Sequence, residues 1–340
     1  MSRALDTAKS QQSNSGPIPP FVAGKNKIIN GDFGVWQRGT SLTPTTGQVY
    51  TTDRFLALRN GTGATVTVSR QTFTPNAGGN PTNAVNGRNY FYRQAQSVAG
   101  TGGTYNLMEQ RIEGAVLAGQ TVTFSFWAKA AASLTLPQID YEYTIGGTNV
   151  SANVTSNISI TTSWARYSYT FTMPTYSGYT PDNTSDFFGI RIWYPSNTTF
   201  TFDTWGWQLE AGSSATPFQT ATGTIQGELA ACQRYYYRHV STLNAPIGFG
   251  SNYSTTAANT YVKFPVEMRV SPTLVASTGT SYYVFVRNGG SDFCNSFLVD
   301  VANTNGMNIY NGTEISGTAG DAGYFALANA SGFIDFSAEL

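Results

Sequence analysis

Residues 120–130 read QTVTFSFWAKA and residues 163–174 read SWARYSYTFTMP. In the first, Val122, Phe124 and Phe126 alternate with Thr123, Ser125 and Trp127. In the second, Ala165, Tyr167, Tyr169, Phe171 and Met173 alternate with Arg166, Ser168, Thr170 and Thr172. A period of two held over this length marks strands with one face turned to a core. FFGIRIWYP (187–195) and TFTFDTWGWQLEA (199–211) continue the pattern, with Pro, Ser and Asn turn signals between them. Strand follows strand from about residue 25 to 218 with little helical periodicity. That argues an all-β sandwich or jelly roll rather than βαβ units.

Working outward, residues 1–24 are polar and close on GPIPPF, whose prolines favour an extended path; we read them as a linker or N-terminal anchoring arm. After the first sandwich comes one helical segment, TIQGELAACQRYYYRHV (224–240). In it Ile225, Leu229, Cys232 and Tyr236 are spaced 4, 3 and 4, one stripe of a helix, with Thr224 as its cap. That stripe is either packed on its own domain or an oligomer contact. Short strands resume after Asn244, enough for a smaller C-terminal β-sandwich. The expected domains are therefore 1–24, 25–220, a connecting helix at 221–242, and 243–340.

Composition narrows the function. Of 340 residues only 11% are charged, 14% are aromatic, and nineteen basic residues balance nineteen acidic ones. No basic cluster offers the electrostatic footprint of a nucleic-acid binder. No apolar run is long enough to span a bilayer, and the N-terminal stretch has no apolar core of a signal peptide, so cytoplasmic synthesis is expected. Two cysteines, Cys232 and Cys294, make neither a disulfide framework nor a zinc site, and are expected to be reduced thiols. Triplets such as those at Asn60, Asn153 and Asn157 arise from an Asn/Ser/Thr-rich composition.

Catalytic constellations are sparse. The only histidine, His239, has no G-x-S-x-G serine to serve and is read as an exposed or interfacial helix-end residue. Carboxylate pairs that a glycosidase could use are Glu109 with Glu113, Asp140 with Glu142, and Asp182 with Asp186. None lies in a pattern that predicts a raised pKa. Glycine-rich pieces such as AGTGGT open no helix and are turns rather than phosphate cradles. What remains is aromatic surface. Sugar rings lie against aromatic faces while amides, carboxylates and guanidiniums meet their hydroxyls. The loop PTYSGYTPDNTSD (174–186) supplies Tyr176, Tyr179, Asp182 and Asn183, with Asp186 beside them, and Arg191 and Trp193 share the strand face opposite Ile190, Ile192 and Tyr194. These are the candidate carbohydrate-binding residues; no catalytic residue, metal or cofactor is expected.

NKIINGDFGVWQRGTS, YTTDRF, VTFSFWAKA, TTSWARYSYTFTMP, WGWQLEAGSSATPFQ and ELAACQRYYYR occur in this order. Together they resemble bacteriophage tail-fibre or receptor-binding proteins whose central domain is similar to carbohydrate-binding jelly rolls. VKFPVEMRVSPTLV and the closing GFIDFSAEL are similar to the distal domain of such proteins. The resemblance implies that WGWQLEAG is the last jelly-roll strand, with Trp205, Trp207 and Leu209 on one face by the period of two. It further implies a non-enzymatic virion tail fibre, a homotrimer held to the tail or baseplate by residues 1–24 and binding host-surface polysaccharide, with no membrane insertion. Ile225, Leu229, Cys232 and Tyr236 would then form the three-fold contact. A tail or baseplate structural subunit and a polysaccharide-degrading tailspike are the alternatives. Carbohydrate-binding jelly rolls often carry Glu after NGDF as a calcium ligand. This chain has Gly34 there; Asp32 and Asp203 remain as possible oxygen ligands, whereas a calcium site takes about six to eight.

Overall fold

The computed structural model describes residues 21–74, 80–81, 90–182 and 184–340. Most of the segment expected to be an anchoring arm, and Asn183, therefore lie outside the described residues.

The first sandwich is built from β1 (Ser41–Leu42), β2 (Gly47–Tyr50), β3 (Phe55–Arg59), β4 (Thr65–Thr72), β5 (Tyr90–Val98) and β6 (Asn106–Glu113), followed by β7 (Thr121–Ala130), β8 (Leu134–Ile145), β9 (Thr148–Ile160), β10 (Ala165–Thr172), β11 (Phe187–Trp193) and β12 (Phe200–Ala211). They form two six-stranded antiparallel sheets, ordered β1-β4-β5-β12-β7-β10 and β2-β3-β6-β11-β8-β9. The alternation read from residues 120–130 and 163–174 is realised across one ladder. Val122 pairs with Phe171, Phe124 with Tyr169 and Phe126 with Tyr167. Val122, Phe124 and Phe126 are fully buried against Ile190, Ile192 and Trp207 of the shared core.

The last strand departs from strict alternation. Trp205 pairs with Trp127, but the next partner of β7, Ser125, faces Gln208, so β12 carries a bulge. Gly206 supplies it with φ of 69°, where a side chain would also crowd the Trp127 ring. The extra residue turns Trp205 and Trp207 to opposite faces. Trp207 and Leu209 enter the main core, whereas Trp205 joins Phe73 and Phe91 in a second cluster outside the first sheet, with Trp127, Trp164 and Phe218 against it. The small-residue exit after β12 therefore closes back over the sheet through Phe218, whose ring centroid lies 4.7 Å from that of Trp205.

The helix spans only Ile225–Gln233, capped by the Thr224 hydroxyl, which accepts from the Gly227 backbone N–H. Its expected stripe does not hold together. Ile225 and Leu229 are exposed, Cys232 is fully buried, and Tyr236 lies on a strand and is buried. Two turns bring one residue per turn onto the sandwich, and the chain re-enters a sheet before Tyr236 can complete the stripe. His239 lies on the same strand rather than at a helix end; its Nε2–H donates to the Ile247 carbonyl and its Nδ1 accepts from the Tyr237 hydroxyl. Burial holds its pKa below the usual value, so the ring is neutral at physiological pH.

The distal sandwich contains β13 (Tyr236–Val240), β14 (Pro246–Asn252), β15 (Ala258–Lys263), β16 (Thr273–Ala276) and β17 (Tyr283–Arg287), then β18 (Gly290–Cys294), β19 (Leu298–Asn303), β20 (Gly306–Asn311), β21 (Ala322–Leu327) and β22 (Ile334–Ser337). A seven-stranded sheet, β18-β17-β21-β14-β15-β20-β19, packs on a three-stranded one, β13-β22-β16. Phe285, Phe325, Phe336 and Cys294 lie in the core between them. The architecture is all-β, jelly-roll sandwich first and smaller sandwich second, with the short helix at the crossing. Both cysteines are free and buried, and burial pushes the Cys294 thiol up to about 12.

Candidate functional site

β11 decides what the outward face of the second sheet presents. Phe188, Ile190 and Ile192 point inward and are fully buried, so Gly189, Arg191 and Trp193 point outward. Arg191 lies between Glu109 of β6 and Asp140 of β8, and Gly189 lies between Arg111 and Glu142. The register thus brings two guanidiniums and three carboxylates together on adjacent strands.

Arg191 binds Asp140 with two parallel bonds, Nε to Oδ1 at 2.8 Å and Nη2 to Oδ2 at 2.7 Å, and its Nη1 pairs with Glu142. Burial works against this charge, but the Asp140 hydrogen bonds and the surrounding carboxylates outweigh it and hold the guanidinium above its ordinary pKa. The Trp193 indole N–H donates to Asp140 Oδ1 at 2.8 Å, which fixes a half-buried ring beside the ion pair. Glu109 is fully buried. Its Oε1 accepts from Arg111 Nε at 3.3 Å, while Oε2 has no hydrogen-bond partner. Its carboxylate sits in the space that a side chain on Gly189 would fill, 2.1 Å from the Cβ position. Burial raises the Glu109 pKa, since an uncompensated anion is costly in low dielectric.

One end of this face is closed. Arg54, immediately before β3, donates to the Arg111 carbonyl at 2.5 Å, pairs with Glu339, and stacks its guanidinium 3.5 Å from the Tyr235 ring centroid. Arg111 Nη1 and the Tyr50 hydroxyl both donate to the Leu340 carbonyl, at 2.8 and 2.6 Å. Glu113 accepts from Arg234 and Tyr235. Arg38 pairs with Glu339 and lies over Tyr236, and Gln37 donates to the Tyr236 carbonyl. Four of the quoted stretches, those around Arg38, Arg54, Tyr235 and Glu339, are thus the two sides of one joint between the sandwiches. The joint is a structural role that their order in the chain did not suggest. The open end carries Trp193, Gln138 and Glu142, each partly exposed.

The sequence candidates divide between two places. Arg191 and Trp193 belong to the face just described. Tyr176 does not present itself to a ligand: it is buried in the main core, its ring set edge-on to Tyr143 with centroids 4.9 Å apart. Tyr179 packs on the same Tyr143 from the loop side. Asp182 is exposed and satisfied locally. Hydrogen bonds from Thr184 and Ser185 hold its carboxyl down to about 2. Asp186 accepts from the Gly146 and Asp182 backbone N–H groups. The loop is therefore a folded turn over the end of the core. Asp140, Glu142, Glu109 and Arg111 were missed as a group. Their alternate spacing on β6 and β8 was visible, but only the β6-β11-β8 register shows that they converge.

Among the described residues, no group of three or more His, Cys, Asp or Glu is placed to hold a metal ion. Asp203 is engaged by Arg93 at 2.7 Å and Lys129 at 3.8 Å. A depression of about 350 Å³ near Ala131–Leu134 and Thr199–Thr201 has no ionisable side chain in its lining.

Residues 59–183 match a family model described as a carbohydrate binding domain. The matched segment contains Glu109, Arg111, Asp140 and Glu142 and ends before β11. No curated protein sequence matches the chain. Among solved structures, the enzymatically active domain of tailspike protein 4 of bacteriophage CBA120 is 17% identical with a TM-score of 0.37, over 55% of this chain and 22% of that one. The chain thus spans about a fifth of that tailspike. A family 11 carbohydrate-binding module of a cellulosomal cellulase of Clostridium thermocellum is 14% identical with a TM-score of 0.31, over 51% of this chain and 99% of the module. A cyclase from Fischerella sp. TAU is 15% identical with a TM-score of 0.36, over 56% and 98%. The family match thus falls within the first sandwich and does not reach the second.

Proposed function

We propose that this protein is a virion tail fibre that binds host cell-surface glycan without cleaving it, and that Trp193, Arg191, Asp140 and Glu142 form the floor of the jelly-roll site. The observation that carries the reading is the coincidence of two things. The carbohydrate-binding match covers β6 and β8, and those strands place fixed hydrogen-bonding groups around the one tryptophan on that face. Such a floor suits a ligand rich in hydroxyls, because its donors and acceptors are held in place before binding and lose little freedom on contact. Trp193→Ala, which leaves Arg191 paired with Asp140, is expected to weaken binding to purified host polysaccharide at least tenfold in titration calorimetry with the fold unchanged by circular dichroism. Unchanged affinity would remove this face from the reading.

The assembly role rests on the sequence resemblance. Cys232 and Tyr236 are buried within the chain, so the helix leaves only Ile225 and Leu229 for a three-fold contact. Native mass by light scattering tests the trimer directly. A tailspike that degrades polysaccharide is the second reading, favoured by the raised pKa of Glu109 close to Glu142. New reducing ends on incubation with host capsule would establish it.

A further inference from the structure

The distal seven-stranded sheet buries one face in its core and leaves the other bare. Along β21, Phe325 is buried and Tyr324 is 39% exposed. On β14, Phe249 is 89% exposed and on β15, Tyr261 is 51% exposed between buried Thr260 and Val262. Tyr324 pairs with Val286 on one side and with Phe249 on the other. Tyr261 stands one position beyond the Gly250–Thr260 pair, opposite Phe249, and pairs in turn with Asn308. The register therefore lines up three aromatic rings on three neighbouring strands, in a row that crosses the sheet. At the usual strand spacing the row is about 10 Å from first to last.

Two features narrow what such a row meets. Tyr261 does not stand upright: its hydroxyl lies over Gly306, 2.2 Å from where a side chain there would begin, so the ring is laid down on β20 with one face outward. The three rings are also uncharged, and the charged groups near them are Lys263, which is exposed two positions along β15 and pairs with Gly306, and Asp300, which holds the Asn308 amide. Asn308 continues it, with its amide anchored to Asp300 at 2.9 Å, and Ser251 and Asn259 form the adjacent pair. Uncharged rings with free π-faces, flanked by the amides of Asn259 and Asn308 and the hydroxyl of Ser251, are complementary to the C–H faces and hydroxyls of a neutral sugar chain.

We infer that the outward face of β21, β14 and β15 is a second glycan-binding platform, taking a neutral oligosaccharide laid across the strands on Tyr324, Phe249 and Tyr261. It deepens the glycan-binding reading and rests on it. It also places one site in each sandwich of the same chain, so that two weak contacts act together through their linkage.

Titration calorimetry of the full chain with neutral hexasaccharides of mixed-linkage β-glucan, xylan, mannan and dextran tests it, alongside the double variant Phe249→Ala/Tyr261→Ala and the single variant Trp193→Ala. Two sites per chain are expected, falling to one in either variant. Substitution at such exposed positions leaves the fold intact, and thermal melts check this. One site abolished by Trp193→Ala alone overturns the distal platform and leaves the jelly-roll site standing. One site abolished by the double variant alone supports the platform and removes the jelly-roll floor. Two sites that persist in the double variant, or a drop in native mass with glycan stoichiometry unchanged, overturn the inference; the latter identifies the face as a contact between copies of this chain. No binding of any hexasaccharide overturns both.

Discussion

The outward face of the second sheet is one surface with two ends, and the same residue types meet different fates along it. At the Arg54–Arg111 end, guanidiniums are enclosed by Tyr235, Glu339 and Leu340 of the distal sandwich, and Arg54 is 1% exposed. At the Arg191–Trp193 end, the guanidinium is paired just as fully, but its partners come from neighbouring strands of the same sheet and Glu142 and Trp193 stay open to solvent. A buried arginine–carboxylate pair is therefore no sign of function by itself. What separates joint from candidate site is whether the second partner belongs to another domain or whether the face is left free for a ligand.

Breaking the joint gives the largest expected effect. Arg54→Ala leaves the Glu339 carboxylate to Arg38 alone, removes the bond to the Arg111 carbonyl and the ring stack on Tyr235, and should cost stability up to the about 3–5 kcal/mol seen when a buried pair is broken outright. Chemical denaturation should show that loss, with the distal sandwich melting separately; a single unshifted transition would mean that the joint contributes nothing to coupling. Gly189→Ala acts at the boundary between the two ends. Its methyl would displace the Glu109 carboxylate, and such overpacking costs roughly 1–3 kcal/mol. If the denaturation midpoint does not move, Glu109 has room that the geometry denies it.

The smallest effect is the most diagnostic. The Glu109 pKa is raised in the fold, so both states are protonated at low pH, and the folded state is penalised as pH rises above the unfolded value near 4.3. Glu109→Gln removes that penalty. Its stability relative to the parent should therefore improve from pH 4 to pH 8, as read from denaturation midpoints at each pH. A difference independent of pH would show that Glu109 is ionised and compensated throughout.

Much of the architecture was legible because it depends on local period. The strands at 120–130 and 163–174, the inward Ile190 and Ile192 and outward Arg191 and Trp193, and the second small β domain all follow from alternation and turn residues. The failures have physical causes. The bulge at Gly206 reverses the face of Trp205, and a single glycine in a strand does not announce whether it kinks the chain. The helical stripe through Cys232 and Tyr236 fails because tertiary pairing with β22 captures Tyr236 as a strand. Tyr176 looked like a loop aromatic, yet a folded turn with φ of 55° at that residue tucks its ring into the core.

The sequence by itself determined the class of fold, the order of its strands and the balance of charge, because each depends on composition or on periods of a few residues. Tertiary structure alone decided which arginines lock two sandwiches together and which remain beside an open tryptophan. It also decided that three aromatics far apart in the chain stand in one row. Cross-strand register and domain docking set these, and both join residues tens to hundreds of positions apart, a distance over which no local pattern carries information.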